Sequence, residues 1–193
     1  MRRLGDRRFW MGFAAGIVLA CLVLLPIGYY VASTLAVDNI ERVIGPPSFP
    51  PELQADYDWS LRRIDGSEVR MTDFKHKAVF LHFWATWCVP CVAELPGIQR
   101  LYDRFKGDER VAFGIISQES PDIVKYYADK KGYTFPLFVT EGDQPQVFKS
   151  DTLPSTFIIS PNGKIAFSLA GTARWDDKET DRFFGRLWSQ EAP

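Results

Sequence analysis

The chain is poor in the residues that build metal centres and disulfide scaffolds. It has three cysteines, two histidines and three methionines in 193 residues. Three cysteines cannot staple a small secreted scaffold. The scarcity of histidine matters too. A structural zinc site needs four ligands, and beyond one cysteine pair only His76 and His82 are on offer. There is also no excess of one charge. A net charge of −1 leaves no reason to expect a nucleic-acid partner. No internal repeat or low-complexity tract occurs, and 46% hydrophobic with 24% charged residues is a globular composition.

What is present centres on Val79 to Pro96. An apolar run, Val79 to Trp84, stops at a small loop, and Cys88 and Cys91 follow two residues apart. Leu95, Ile98, Leu101, Tyr102 and Phe105 then fall on one helical stripe. A strand therefore feeds a Cys-x-x-Cys on the first turn of a helix. The unpaired N–H groups and positive dipole end found there stabilise a thiolate. Cys88, at the helix opening, is expected to be the exposed nucleophile, with Cys91 one turn further in and within reach of a disulfide. The pattern points to dithiol–disulfide exchange. A covalent haem site would want histidine after the second cysteine, where Val92 stands. Trp84 and Trp87 are expected to pack around the disulfide, and Val89-Pro90 to add bulk and rigidity between its cysteines.

The N-terminus carries a second signal. No charged residue occurs from Phe9 to Ala32, about 24 residues, enough to cross a hydrocarbon core. Arg2, Arg3, Arg7 and Arg8 precede the run, and Asp38 and Glu41 follow it. The positive-inside rule then keeps the N-terminus cytoplasmic and exports the rest. The run is too long for a signal peptide, and a lipoprotein site at Cys21 would leave Leu22 to Tyr30 as unexplained apolar sequence. The expected organisation is a basic tail over 1–8, a transmembrane helix over 9–32, a Pro-rich linker over 33–56 and a folded domain over 57–190.

Within that domain, Trp59-x-Leu61 and Val69-x-Met71 flank Asp65-Gly66 as a hairpin. Val111 to Ile116 reads as a buried parallel strand, Ser120-Pro121-Asp122 to Gly132 as a helix, and Phe135 to Val139 as a strand. A short helical segment is expected around Gln146 to Lys149. Pro161-Asn162-Gly163 turns a second hairpin into a strand from Lys164 to Leu169, and Asp176 to Trp188 forms a last helix. Pro96 should kink the cysteine-bearing helix. The result is an α/β class with a mixed central sheet.

Phe83-Trp84-Ala85-Thr86-Trp87-Cys88-x-Pro90-Cys91, Glu94-x-Pro96 and Leu153-Pro154-Ser155-Thr156-Phe157 resemble the thioredoxin superfamily, and more narrowly its membrane-anchored TlpA/ResA-like branch. The resemblance runs from about Trp59 to Trp188. It implies a thioredoxin fold in which Ser120 to Glu141 supplies an inserted helix and strand, and in which Pro154 is a cis-proline facing the disulfide, with Leu153 lining the site. It implies an acid at Glu94 that helps deprotonate Cys91; the plainer reading is an acid favoured by the helix dipole. His82 departs from the branch, which often has asparagine there. It is read first as a hydrogen-bonded core histidine, with proton exchange to Cys91 as the alternative. The resemblance further implies no cofactor beyond the redox disulfide, substrates such as apocytochrome c or other exported cysteine proteins, and recharging by a membrane thiol transporter of the DsbD/CcdA kind. Disulfide donation, or a non-catalytic thioredoxin-like binding module, stand as alternatives. A peroxidase is disfavoured because the Pro-x-x-x-Thr-x-x-Cys arrangement is absent.

Overall fold

The computed structural model describes residues 53–140 and 144–189, together with residues 10, 11, 13, 14, 16, 17 and 20–27 near the N-terminus. The chain divides into two units, Met1–Pro46 and Pro47–Pro193. In the first, the described residues are helical with exposed side chains, and Cys21 is a free thiol among them. Among the described residues no helix is long and apolar enough to cross a membrane. The basic tail, several positions of the 9–32 run and most of the Pro-rich stretch lie outside the described residues.

The second unit is built on one seven-stranded sheet of order β2-β1-β5-β4-β3-β6-β7. The strands are β1 (Ser60–Arg63), β2 (Glu68–Arg70), β3 (Ala78–Trp84), β4 (Val111–Ser117), β5 (Leu137–Val139), β6 (Ser155–Ile159) and β7 (Ile165–Ala170). The helices are α1 (Val89–Phe105), α2 (Pro121–Lys131) and α3 (Lys178–Ser189), with 3-10 turns at Met71–Phe74 and Gln146–Phe148. β3, β4 and β5 run parallel, while β6 pairs antiparallel to β3 and β1 antiparallel to β5.

The central strands are buried on both faces, so they read as apolar runs rather than alternating ones. Phe80, Trp84, Phe113, Ile115 and Ile158 enter one core; Val79, Leu81, Phe83, Ile116 and Phe157 enter the other. The buried apolar residues of α1, α2 and α3 belong to the first core. β3→α1→β4 and β4→α2→β5 step across the sheet in the same direction. Right-handed crossovers therefore place α1 and α2 on the same face. The second core is closed by the two 3-10 turns, through Met71, Phe74 and Phe148.

Several boundaries differ from the sequence reading, each for a local reason. β5 begins at Leu137 because Pro136 supplies no N–H to a ladder. α3 begins at Lys178 because Asp177 caps it, its carboxylate accepting from the Thr180 N–H at 2.8 Å. Pro96 lies inside α1, within the span Val89–Phe105. The end of the stretch read as linker is paired: Gln54 bridges Lys164, and the Ala55 N–H donates to the Gly163 carbonyl at 2.8 Å.

Candidate active site

Strand β3 delivers the chain to the site. After Trp84 the loop turns, the Cys88 N–H donates to the Ala85 carbonyl, and Cys88 becomes the N-cap of α1 with extended backbone angles. Pro90 takes one of the first two helical positions, where no intrahelical N–H is required. Cys91 then falls one turn in. The two sulfurs are joined, 2.02 Å apart, with Cα atoms 5.2 Å apart. The Cys91 N–H also points at Cys88 Sγ, at 3.3 Å. A helix N-terminal N–H aimed at this sulfur would stabilise its thiolate once the disulfide opens.

Cys88 retains 5% of its surface and Cys91 none. The sequence reading of Cys88 as openly exposed is thus met only in rank, because the bonded sulfur tucks against the first core. The two tryptophans separate. Trp84 is buried and packs on Tyr127, whereas Trp87 stands out at 69% exposure, with Val89 similarly exposed. Together Trp87 and Val89 make an apolar rim on either side of Cys88.

The Leu153–Pro154 peptide bond is cis. Its position at the disulfide end of the sheet follows from register. Phe83 pairs with Ser155, so Pro154 enters β6 at the end of the sheet where Trp84 leaves β3 towards Cys88. Leu153 is partly buried against both cores. A cleft of about 620 Å³ lies between this loop and the Trp84–Trp87 segment, with Leu153 and Ser155 on one wall and Trp87 and Glu119 on the other.

Glu119 is a residue the sequence reading missed. Its carboxylate accepts from the Thr86 N–H at 2.6 Å and the Thr86 hydroxyl at 2.7 Å, clamping the loop that ends in Cys88. The pairing of Trp84 with Ser117 brings it there, since Glu119 lies just past the end of β4. Nothing local to the Gln118-Glu119-Ser120 sequence signals that role.

Glu94 is buried, 7% exposed, in the second turn of α1. The dipole reading therefore does not account for it, since that effect belongs to exposed acids of the first turn. Oε2 accepts from the Trp175 Nε1–H at 2.9 Å and from the Ala173 N–H at 3.1 Å. Burial pushes the carboxyl up to about 7, against the opposing pull of those two donors. A second cleft, of about 660 Å³, is lined by Pro90, Glu94, Arg100 and Trp175. Trp175, like Glu119, was not singled out from sequence.

His82 is fully buried in β3. Nδ1 lies 2.9 Å from Thr156 Oγ1, and Nε2 lies 3.5 Å from Glu94 Oε1. Burial pushes the imidazole down to about 3, so it is neutral at physiological pH. The contact with Glu94 is thus between a neutral ring and a carboxyl group. The fold gathers Cys88, Cys91, Trp84, Glu94, His82 and the Leu153–Pro154 loop at one end of the sheet, with Trp87 and Pro90 at the rim.

The chain is similar to known proteins in sequence and in fold. The AhpC/TSA family model matches residues 54–168. Thiol-disulfide oxidoreductase ResA of Geobacillus thermodenitrificans is 31% identical over 161 residues, covering 83% of this chain and 88% of the relative. ResA of Oceanobacillus iheyensis is 37% identical over 119 residues, covering 60% of this chain and 61% of the relative. A thiol:disulfide interchange protein of the thioredoxin family from Chlorobium tepidum TLS superposes with a TM-score of 0.62 at 22% identity, covering 72% of this chain and 99% of that one. That last likeness concerns the fold. With a cysteine pair opening a helix and relatives of this kind across most of its length, the chain belongs to the AhpC/TSA family of the thioredoxin superfamily, as a ResA-like thiol–disulfide oxidoreductase.

Proposed function

We propose that this chain is a membrane-tethered reductant of disulfides in exported proteins, apocytochrome c among them, working through Cys88 and Cys91. In the reduced enzyme the Cys88 thiolate attacks one sulfur of a substrate disulfide. The substrate S–S bond breaks, one substrate sulfur leaves as thiolate, and the other is joined to Cys88. Cys91 then gives its proton to Glu94 and its thiolate attacks Cys88 Sγ. The substrate's second sulfur leaves, and the Cys88–Cys91 disulfide remains. Two electrons have passed from the enzyme dithiol to the substrate.

The observation that supports this reading best is the pairing of Cys88 at a helix N-cap with a buried carboxyl one turn beyond Cys91. Glu94 follows Cys91 by three positions, which makes the two neighbours on the helix surface. An acid held near 7 is matched to moving a proton at neutral pH. Trp87, Val89 and the Leu153–Pro154 loop form the walls along which a substrate chain lies. The long uncharged N-terminal run holds the domain at the outer face of the cytoplasmic membrane, and a thiol transporter of the DsbD/CcdA kind returns the electrons.

Replacing Cys91 by alanine in cells tests the reading. The expected result is an accumulation of mixed disulfides on Cys88 with exported cysteine proteins, released by dithiothreitol. Absence of any Cys88-linked partner, with the variant folded and present at normal levels, would overturn it.

A further inference from the structure

Oε2 of Glu94 is occupied by two donors, the Trp175 Nε1–H and the Ala173 N–H. Any proton that Glu94 takes or releases must therefore reside on Oε1. That oxygen has no hydrogen bond, and neither has Nε2 of His82, although both atoms are buried and 3.5 Å apart. Buried polar atoms left without partners are costly. A small closure of this gap satisfies both at once, and hydrogen bonds of catalytic groups are often long until the reaction is under way. The other ring nitrogen already has its partner in Thr156 Oγ1, a hydroxyl able to donate or accept.

We propose that His82 is a positioning residue for Glu94, which switches between its two neutral tautomers so that Oε1 keeps a hydrogen bond whether or not it carries a proton. This rests on the reading of Glu94 as the group that exchanges a proton with Cys91. With the carboxylate ionised, His82 Nε2–H donates to Oε1 and Nδ1 accepts from the Thr156 hydroxyl. With Oε1 protonated, its O–H donates to Nε2, and the ring proton, now on Nδ1, is donated to Thr156 Oγ1. The ring holds one proton in both states. Glu94 gains the one that Cys91 gives up.

The other groups facing Glu94 do not duplicate this. The Trp175 Nε1–H and the Ala173 N–H are fixed donors that cannot accept a hydrogen bond from a protonated Glu94. Arg100 lines the neighbouring cleft with its guanidinium Nε 2.8 Å from Asp176, and Arg174 lines it as an exposed side chain. Cys91 is the exchanging partner itself. Burial keeps His82 neutral across the range in which Glu94 titrates, which a tautomer switch requires.

Two measurements test this on the full-length chain in detergent. The first needs no substitution: the ring nitrogens of His82 are followed by 15N NMR in the reduced protein from pH 5 to 9, with His76 as an internal reference. The expected result is a ring that stays neutral while Nε2 changes from acceptor to N–H as pH rises through about 7. A single tautomer throughout, or a ring that becomes cationic near neutrality, overturns the proposal.

The second mixes reduced enzyme in excess with a chromogenic aryl disulfide. The first thiolate released reports Cys88 and the second reports Cys91. His82→Leu should move the pH midpoint of the second release upward by about one unit and leave the first unchanged, because a carboxylate without its donor is harder to form. His82→Gln, which can donate and accept, should restore the midpoint. A His82→Leu midpoint equal to wild type overturns the positioning role. Survival of the midpoint in Glu94→Gln instead removes the Glu94 reading beneath it, so the two failures are distinguishable.

Discussion

Glu94→Gln isolates the energetic consequence of burying this acid. The carboxyl ordinarily titrates near 4.5, and in the fold it titrates near 7, chiefly through burial. Below pH 4.5 it is neutral in both folded and unfolded chains and contributes no pH dependence. Between 4.5 and 7 the unfolded chain releases the proton while the folded chain keeps it, so stability falls as pH rises. Above 7 both forms are ionised and the loss is complete. A difference of about 2.5 pH units corresponds to about 3 kcal/mol. His82 works with the opposite sign. Its folded value near 3 lies below the ordinary 6.5, so its contribution falls as pH drops through that window. The two slopes oppose each other between 4.5 and 6.5, which makes the wild-type curve a poor readout and the difference between proteins a good one. Glutamine keeps an oxygen for Trp175 and Ala173 and offers His82 Nε2 an N–H donor. Urea unfolding of the two oxidised proteins at pH 4.5, 6, 7 and 8 should show near-equal stability at the acid end. By pH 8 the variant should be more stable by about 3 kcal/mol. A wild type more stable than Glu94→Gln at pH 8 would refute the reasoning, because the surrounding donors would then outweigh the desolvation.

Three further outcomes follow from the same structure. Gly114 lies opposite Leu81 in the β3–β4 ladder, and a Cβ there would stand 2.7 Å from Leu81 Cδ2, so Gly114→Ala should cost about 1–3 kcal/mol in urea unfolding; an unchanged midpoint would show that Leu81 has room to move. Glu94, three residues past Cys91, is only partly ionised near pH 7 and any charge it carries there is negative, and Val89-Pro90 supply no cation between the cysteines, so equilibration with glutathione or dithiothreitol should give a potential nearer thioredoxin's value of about −270 mV than DsbA's of about −120 mV. A value above about −180 mV would reassign the protein as an oxidant or isomerase. A phosphatase fused after Ala32 should be active only outside the cytoplasm and remain in the membrane fraction; a soluble product, or activity in the cytoplasm, would remove the tether.

What the sequence by itself determined was mostly local. The apolar run of β3, the helical stripe from Leu95 to Phe105, the Pro121 helix start and the Asp65-Gly66 and Asn162-Gly163 turns are set by residues within a turn or a strand of one another. Their periodicities can be read without knowing what lies across the sheet. The placement of Cys88 and Cys91 belongs to this class, since a helix N-terminus acts on its own first turn.

The tertiary structure decided the environment of everything one turn further in. Glu94 looks like an ordinary early-helix acid until Ala173 and Trp175, about 80 positions later, close over it and supply its donors. His82 takes its partners from Thr156 on β6 and Glu94 on α1. Glu119 reaches Thr86 because β4 lies beside β3. Charge and hydrogen bonding act over a few ångströms of space, and only the folded chain converts sequence separations of 12 to 81 residues into such distances.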